Sequence, residues 1–265
     1  MHTRTPAVAG LFYPGSSAAL RANLDELIAA PAPRDAPCRP KVLVVPHAGY
    51  AYSGALAGEA YARLAGQSDA IRRVVLLGPA HRVWVPGLAL PAAERFATPL
   101  GEVAIDAEAR ARVADLSGVR VSDAAHAEEH SLEVQLPFLQ TVLEDFTLLP
   151  LVVGGATAEQ VAAVLESVWG GPETLIVIST DLSHFHGLEQ ARRLDADTAR
   201  SIEAFATDLV GKQACGAAPL NGLLALARRR GCRIQRIGLA TSADSIGPPD
   251  RVVGYGAWVL EDAPR

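Results

Sequence analysis

The sequence predicts an α/β protein: a mixed, largely parallel central sheet flanked by helices. Three observations carry that reading. Apolar runs rich in Val, Ile and Leu recur at 42–45, 74–77, 146–153, 175–178, 234–239 and 252–260. Helical patterns separate most of them, at 17–29, 55–64, 158–169, 188–209 and 220–230. The runs are nearly continuous rather than alternating, as strands buried on both faces require.

The first helix, over 17–29, has Ser16 or Ser17 as its N-cap and sets Leu20, Leu24 and Leu27 on one face. The proline-rich PAPRDAPCRP at 31–40 reads as a loop into the first strand, not a domain boundary. In HAEEHSLEVQLPFL, residues 126–139, Ser131 is the expected N-cap of a helix. Leu132, Leu136, Leu139 and Leu143 follow at helical spacing, and Pro137 is expected to bend it. The helix over 220–230 closes on Arg228, Arg229 and Arg230, where cations suit the macrodipole. No long linker, low-complexity tract or fixed-period repeat intervenes, so one domain over 1–265 is expected.

Composition narrows the function classes. The chain has 265 residues, enough for a substantial core, and 49% are hydrophobic. No stretch approaches the roughly 18 uninterrupted apolar residues of a membrane span. The start, MHTRTPAVAGLFYPG, lacks the basic and apolar regions of a signal peptide, so a cytoplasmic protein is expected. A net charge of −5 with both signs dispersed leaves no electrostatic footprint for nucleic acid. The three cysteines, Cys38, Cys215 and Cys232, are odd in number and widely spaced, which argues for a reducing compartment over a disulfide framework. Arginine exceeds lysine and alanine is abundant, the bias of a GC-rich bacterial genome.

Ligands of open α/β sheets bind outside the carboxyl ends of the strands. There the polar residues collect. Run 42–45 is followed by His47, run 74–77 by His81, and run 175–178 by Ser179, Thr180 and Asp181, then His184 and His186. Each has an ordinary reading: His47 and His81 as strand caps, Asp181 as an N-cap, His186 as an exposed loop residue. Tyr50, Tyr52 and Tyr61 read as packing residues, and Cys215 as a small buried hydrophobe. Jointly, two imidazoles with a thiolate or carboxylate form a set that suits Fe, Zn or Cu. Cys215 precedes a helix whose N-terminus is expected to lower its pKa. His130 is either part of a charged helix start or a proton donor facing the metal.

The motifs PAVAGLFYP, PHAGYAYSG, GPAH, EEHSLEVQLPFL, STDLSHF, ACGAAPLNGLLA and GYGAW occur together and in order. Over residue 6 to about 260 the chain resembles the Memo family, whose bacterial and archaeal members are called AmmeMemoRadiSam system protein B. The resemblance implies a fold like that of class III extradiol dioxygenases. It implies iron or copper held by the His of PHAGY, His47, the His of GPAH, His81, and the Cys of CG, Cys215. Asp181 and His184, from DLSH, are implied to line the same pocket, and His130 matches the His of EHS. Ring-cleaving dioxygenases of this fold use two histidines and a glutamate, so the cysteine here means that ring cleavage does not follow.

The leading expectation is a non-haem metal-dependent oxidoreductase acting on a small molecule or O₂, with Fe²⁺ ahead of copper or zinc. His47, His81 and Cys215 would hold the metal, and His130, Asp181 and His184 would act on substrate. The alternative is a non-enzymatic metal-binding or interaction module working with a radical-SAM partner. Neither nucleic acid nor membrane is an expected partner. A zinc hydrolase ranks third, because nothing marks the Glu base such sites often use.

Overall fold

The computed structural model describes residues 2–29 and 39–263. Cys38 and most of the proline-rich stretch at 31–40 fall outside the described residues. The first half contains β1 (Thr3–Arg4), α1 (Ser17–Ile28), β2 (Val42–Val45), α2 (Tyr50–Ala62), β3 (Arg73–Pro79), β4 (Leu88–Leu90), β5 (Arg95–Thr98) and β6 (Gly101–Ala104). Then come α3 (Ala107–Ala114), β7 (Val119–Val121), α4 (Asp123–Ala127), α5 (His130–Glu133), α6 (Leu136–Val142) and β8 (Thr147–Val153). The remainder is α7 (Ala158–Ser167), β9 (Thr174–Ser179), β10 (His184–His186), α8 (Leu188–Glu203), α9 (Ala217–Arg230), β11 (Arg233–Thr241) and β12 (Val252–Glu261). No helix is long and apolar enough to cross a membrane among the described residues.

The main sheet runs β11–β12–β2–β9–β3–β8–β4–β7, with β10 pairing the start of β12. Its centre, β2–β9–β3–β8, is parallel, and β12 and β4 flank it antiparallel. The mixed sheet flanked by helices is the expected architecture. Strands β1, β5 and β6 form a separate small sheet.

Side chains alternate across each strand, so a strand buried on both faces feeds two cores. Along β2, Leu43 and Val45 join one cluster with Leu20, Leu24 and Tyr61. Val42 and Val44 join the other with Val161, Leu165 and Leu223. Burying each Val or Leu contributes about 1.5–3 kcal/mol, which is why these runs are apolar throughout.

Every apolar run read from the sequence is a strand. The helix expected after Ser131, from Leu132 to Leu143, differs. It is broken rather than bent: α5 ends at Glu133, and α6 restarts with Pro137 in its first turn, where a missing N–H costs nothing. The cap of α5 is also not Ser131. Glu129 caps it, its carboxylate accepting from Ser131 N at 3.0 Å.

Candidate metal centre

Parallel register brings the strand ends together. Val45 pairs with Ser179 and Leu77 with Ile178, so the segments beyond β2, β3 and β9 leave the sheet side by side. His47 and Asp181 each lie two residues past a paired position, and His47 N donates to Asp181 Oδ1 at 2.8 Å. Asp181 therefore anchors the β2 end instead of capping a helix.

Hydrogen bonds fix the His47 ring. Its Nδ1 lies 2.9 Å from Ser179 Oγ. That hydroxyl donates its only hydrogen to Ser131 O at 2.6 Å and accepts from Gln135 Nε2 at 2.9 Å. Nδ1 must therefore be the donor, which leaves a bare lone pair on Nε2. Burial first, and then the neighbouring histidines, hold the His47 pKa well below its ordinary value, so the ring is neutral. Its Nε2 faces Cys215 Sγ at 3.3 Å and Asp181 Oδ2 at 4.0 Å.

His81 is held the same way by a carboxylate. Its Nδ1 lies 2.9 Å from Glu129 Oε1, and its backbone N donates to Oε2 at 2.6 Å. Glu129 is 2% exposed. Burial alone would raise its pKa, but hydrogen bonds and charge from His81, with the Ser131 N–H, bring it down to about 2. An ionised acceptor behind Nδ1 keeps the proton there and points the Nε2 lone pair away, a common arrangement behind metal-binding imidazoles.

His130 completes a ring of imidazoles. Its centroid is 4.7 Å from that of His81 and 5.5 Å from that of His47, and those two are 5.1 Å apart. Burial, then the charge of His81, lowers its pKa to about 4. Its buried Nδ1 has no hydrogen-bond partner, with Glu129 Oε1 standing off at 3.6 Å. Among the described residues, the His/Cys/Asp/Glu set whose donor atoms lie within 4.8 Å of one another is His47, His81 and His130. The sequence reading had given His130 proton transfer; the structure gathers it with the two strand-end imidazoles.

Cys215 stands beside this set and not within it. Desolvation, then the charge of Asp181, pushes its thiol up to about 12. The expected lowering by the following helix is therefore corrected: burial outweighs the α9 N-terminus, although Asp181 N donates to Sγ at 3.3 Å. Close approach of this loop depends on Gly216, where a Cβ would lie 2.6 Å from Thr180 Cβ. Likewise, a Cβ on Gly78 would lie 2.7 Å from Ser131 Oγ, so glycine lets α5 and His130 pack against the end of β3. Burial also raises the Asp181 carboxyl to about 7. His184 and His186 lie on β10 and, with His81 and Cys215, line a cleft of about 380 Å³. The loop reading of His186 is thereby corrected, since β10 pairs with β12.

Two groups escaped the sequence reading. Glu129 sits beside His130 in what the sequence presents as a charged helix start, with nothing to mark it. Ser179 was one polar residue at the end of an apolar run, and that position was its only signal. Glu129→Gln removes the charge and one acceptor where three N–H groups converge. It should weaken metal binding about 10- to 100-fold in a chelator competition, with the circular dichroism unchanged.

A family model described as Memo-like protein matches residues 4–259. The chain belongs to the Memo family. A MEMO1 family protein of Aquifex aeolicus is 34% identical over 270 residues, spanning 96% of this chain and 98% of that one. One from Methanopyrus kandleri is 34% identical over 279 residues, covering 97% and 98%. Among solved structures, an uncharacterized protein of Escherichia coli K12 superposes with a TM-score of 0.52 at 12% identity, over 82% of this chain and 98% of that one. That likeness shows the fold alone.

Proposed function

We propose that this Memo-family chain binds a transition-metal ion at the ends of β2 and β3 and acts there as a metal-dependent oxidoreductase. The observation that carries this is the convergence of three imidazoles at the strand ends, with the rings of His47 and His81 each held from behind at Nδ1. The donor set fits an ion: His47 is held in the ligating tautomer, His81 has a carboxylate behind Nδ1, and His130 keeps a buried nitrogen unpartnered.

His47 and His81 are the anchoring donors. Cys215 would be the third, because its sulfur faces the bare Nε2 of His47. The observed sulfur–nitrogen distance is 3.3 Å. His130 is the competing third donor, favoured by its place in the mutually close set. Iron, the ion we favour, or copper would supply one-electron chemistry, and zinc Lewis acidity. The chain's own groups supply the rest. His130 Nδ1, buried and unpartnered beside the other two imidazoles, can relay a proton, and Asp181 can hold one near neutrality.

Protein purified without added metal, then loaded anaerobically with iron, should retain close to one ion per chain. His47→Ala should lose it, and Cys215→Ala should lower occupancy at equal free iron. Empty wild-type protein would end the coordination reading. Oxygen uptake by the iron form with small reductants, thiols or catechols tests turnover. A second reading, a metal-holding module that docks a protein partner, is favoured by the exposure of Trp84 (75%) and Phe185 (60%), one three residues past His81 and the other between His184 and His186. Retained metal without turnover would support it.

A further inference from the structure

The cleft that opens over the imidazoles has an outer wall to which the proposed metal site gives no work. Its lining is His81, His184, His186, Gly211, Lys212 and Cys215, at about 380 Å³ the size of a small-molecule site. None of the six carries a carboxylate, in a chain whose net charge is −5. The wall away from His81 and Cys215 is two imidazoles and a lysine.

The backbone is distorted to make this wall. Between His184 and His186, β10 carries a bulge against β12: His184 pairs with Val253 and His186 with Val252, which leaves Phe185 as the extra residue. Phe185 adopts φ 64°, a left-handed conformation that a bulky side chain adopts only when its surroundings impose it. Its ring is turned out, 60% exposed, beneath the Arg251 guanidinium 4.4 Å from the centroid. Bulges beside sites re-aim side chains, and this one leaves both imidazoles lining the cleft. Behind the wall lies Asp195, 2% exposed, with one carboxylate oxygen bonded to Ser183 N and the other unpartnered.

We propose that His184, His186 and Lys212 form an anion-binding wall that takes the carboxylate of a small organic acid and directs the rest of the molecule toward His81 and Cys215. The proposal deepens the reading of the cleft as a substrate site. It gives His186 a binding role and makes the substrate class a small carboxylate.

The test uses the full chain, metal-stripped and zinc-loaded, titrated with benzoate, its uncharged analogue benzamide, and inorganic phosphate. Calorimetry gives affinity, and NMR of the histidine rings locates the ligand. Benzoate should bind both forms, shift the His184 and His186 resonances, and bind about tenfold or more tightly than benzamide. His186→Gln and Lys212→Gln should each weaken benzoate roughly tenfold while leaving zinc affinity and melting temperature unchanged. Equal binding of benzoate and benzamide, unchanged affinity in either variant, or benzoate binding only with zinc present would overturn the proposal. Phosphate binding more tightly than benzoate would overturn the carboxylate assignment. Benzoate binding by a protein that fails to take up zinc when loaded leaves this wall standing and removes the metal reading alone.

Discussion

Zinc affinity should rise about tenfold per pH unit between about pH 7.5 and about pH 9, measured by chelator competition. The sign follows from the thiol. Burial holds Cys215 near a pKa of about 12, so across this window it carries its proton. Ligation as a thiolate must expel that proton, and one proton released gives one decade per pH unit. His47 and His130 add no slope, because burial keeps the first pKa well below the ordinary imidazole value and the second at about 4. Asp181, at about 7, is mostly ionised through the window. Cys215→Ser should flatten the line, and Asp181→Asn should leave its slope near one. A flat line for the wild type would assign the third donor to His130 and leave the sulfur a bystander.

Glu133→Ala should be among the most destabilising single changes outside the main sheet, lowering stability by about 3–5 kcal/mol in urea melts. Glu133 is fully buried and pairs with the guanidinium of Arg4. It also accepts from Ala7 N at 2.7 Å, Val8 N at 3.0 Å and Tyr13 Oη at 2.6 Å. Removing it strands a buried cation and three further donors at once. The double change Arg4→Met with Glu133→Leu should recover little, because the backbone N–H groups and the tyrosine remain unpaired. Recovery to near wild-type stability would show that the ion pair alone matters. The damage should reach the site, since Arg4 Nη2 holds Glu129 O at 2.8 Å and Glu129 holds His81. Metal affinity should therefore fall together with stability.

The main sheet was legible because a strand buried on both faces writes itself as an unbroken apolar run. β2, β3, β8, β9 and β12 are such runs, whereas β11, beside β12, is largely exposed and was legible only from Ile234, Ile237 and Leu239. β4, β7 and β10 were missed because each has three residues, too few for a period to show, and β7 is half exposed. The strand-end rule brought out His47, His81 and Asp181, since parallel strands deliver their next residues to one edge. Glu129 and Glu133 could not be read that way. Their burial is created by partners more than 40 residues away, and a carboxylate in a charged triplet looks the same in sequence whether solvated or enclosed. Cys215 was legible as a candidate, but its protonation state was not, because the burial that raises its pKa depends on packing and not on neighbours in the chain.

The wide spacing of the cluster along the chain bears on how the centre is made. As the ribosome releases the polypeptide, residues 47, 81, 129 and 130 emerge well before residue 215, and β12, which flanks β2, emerges last. Any ion captured by the nascent chain would meet an imidazole-only set. A sulfur donor at residue 215, the third ligand proposed above, would join only after that residue has left the tunnel, so the full proposed donor set would form late in synthesis.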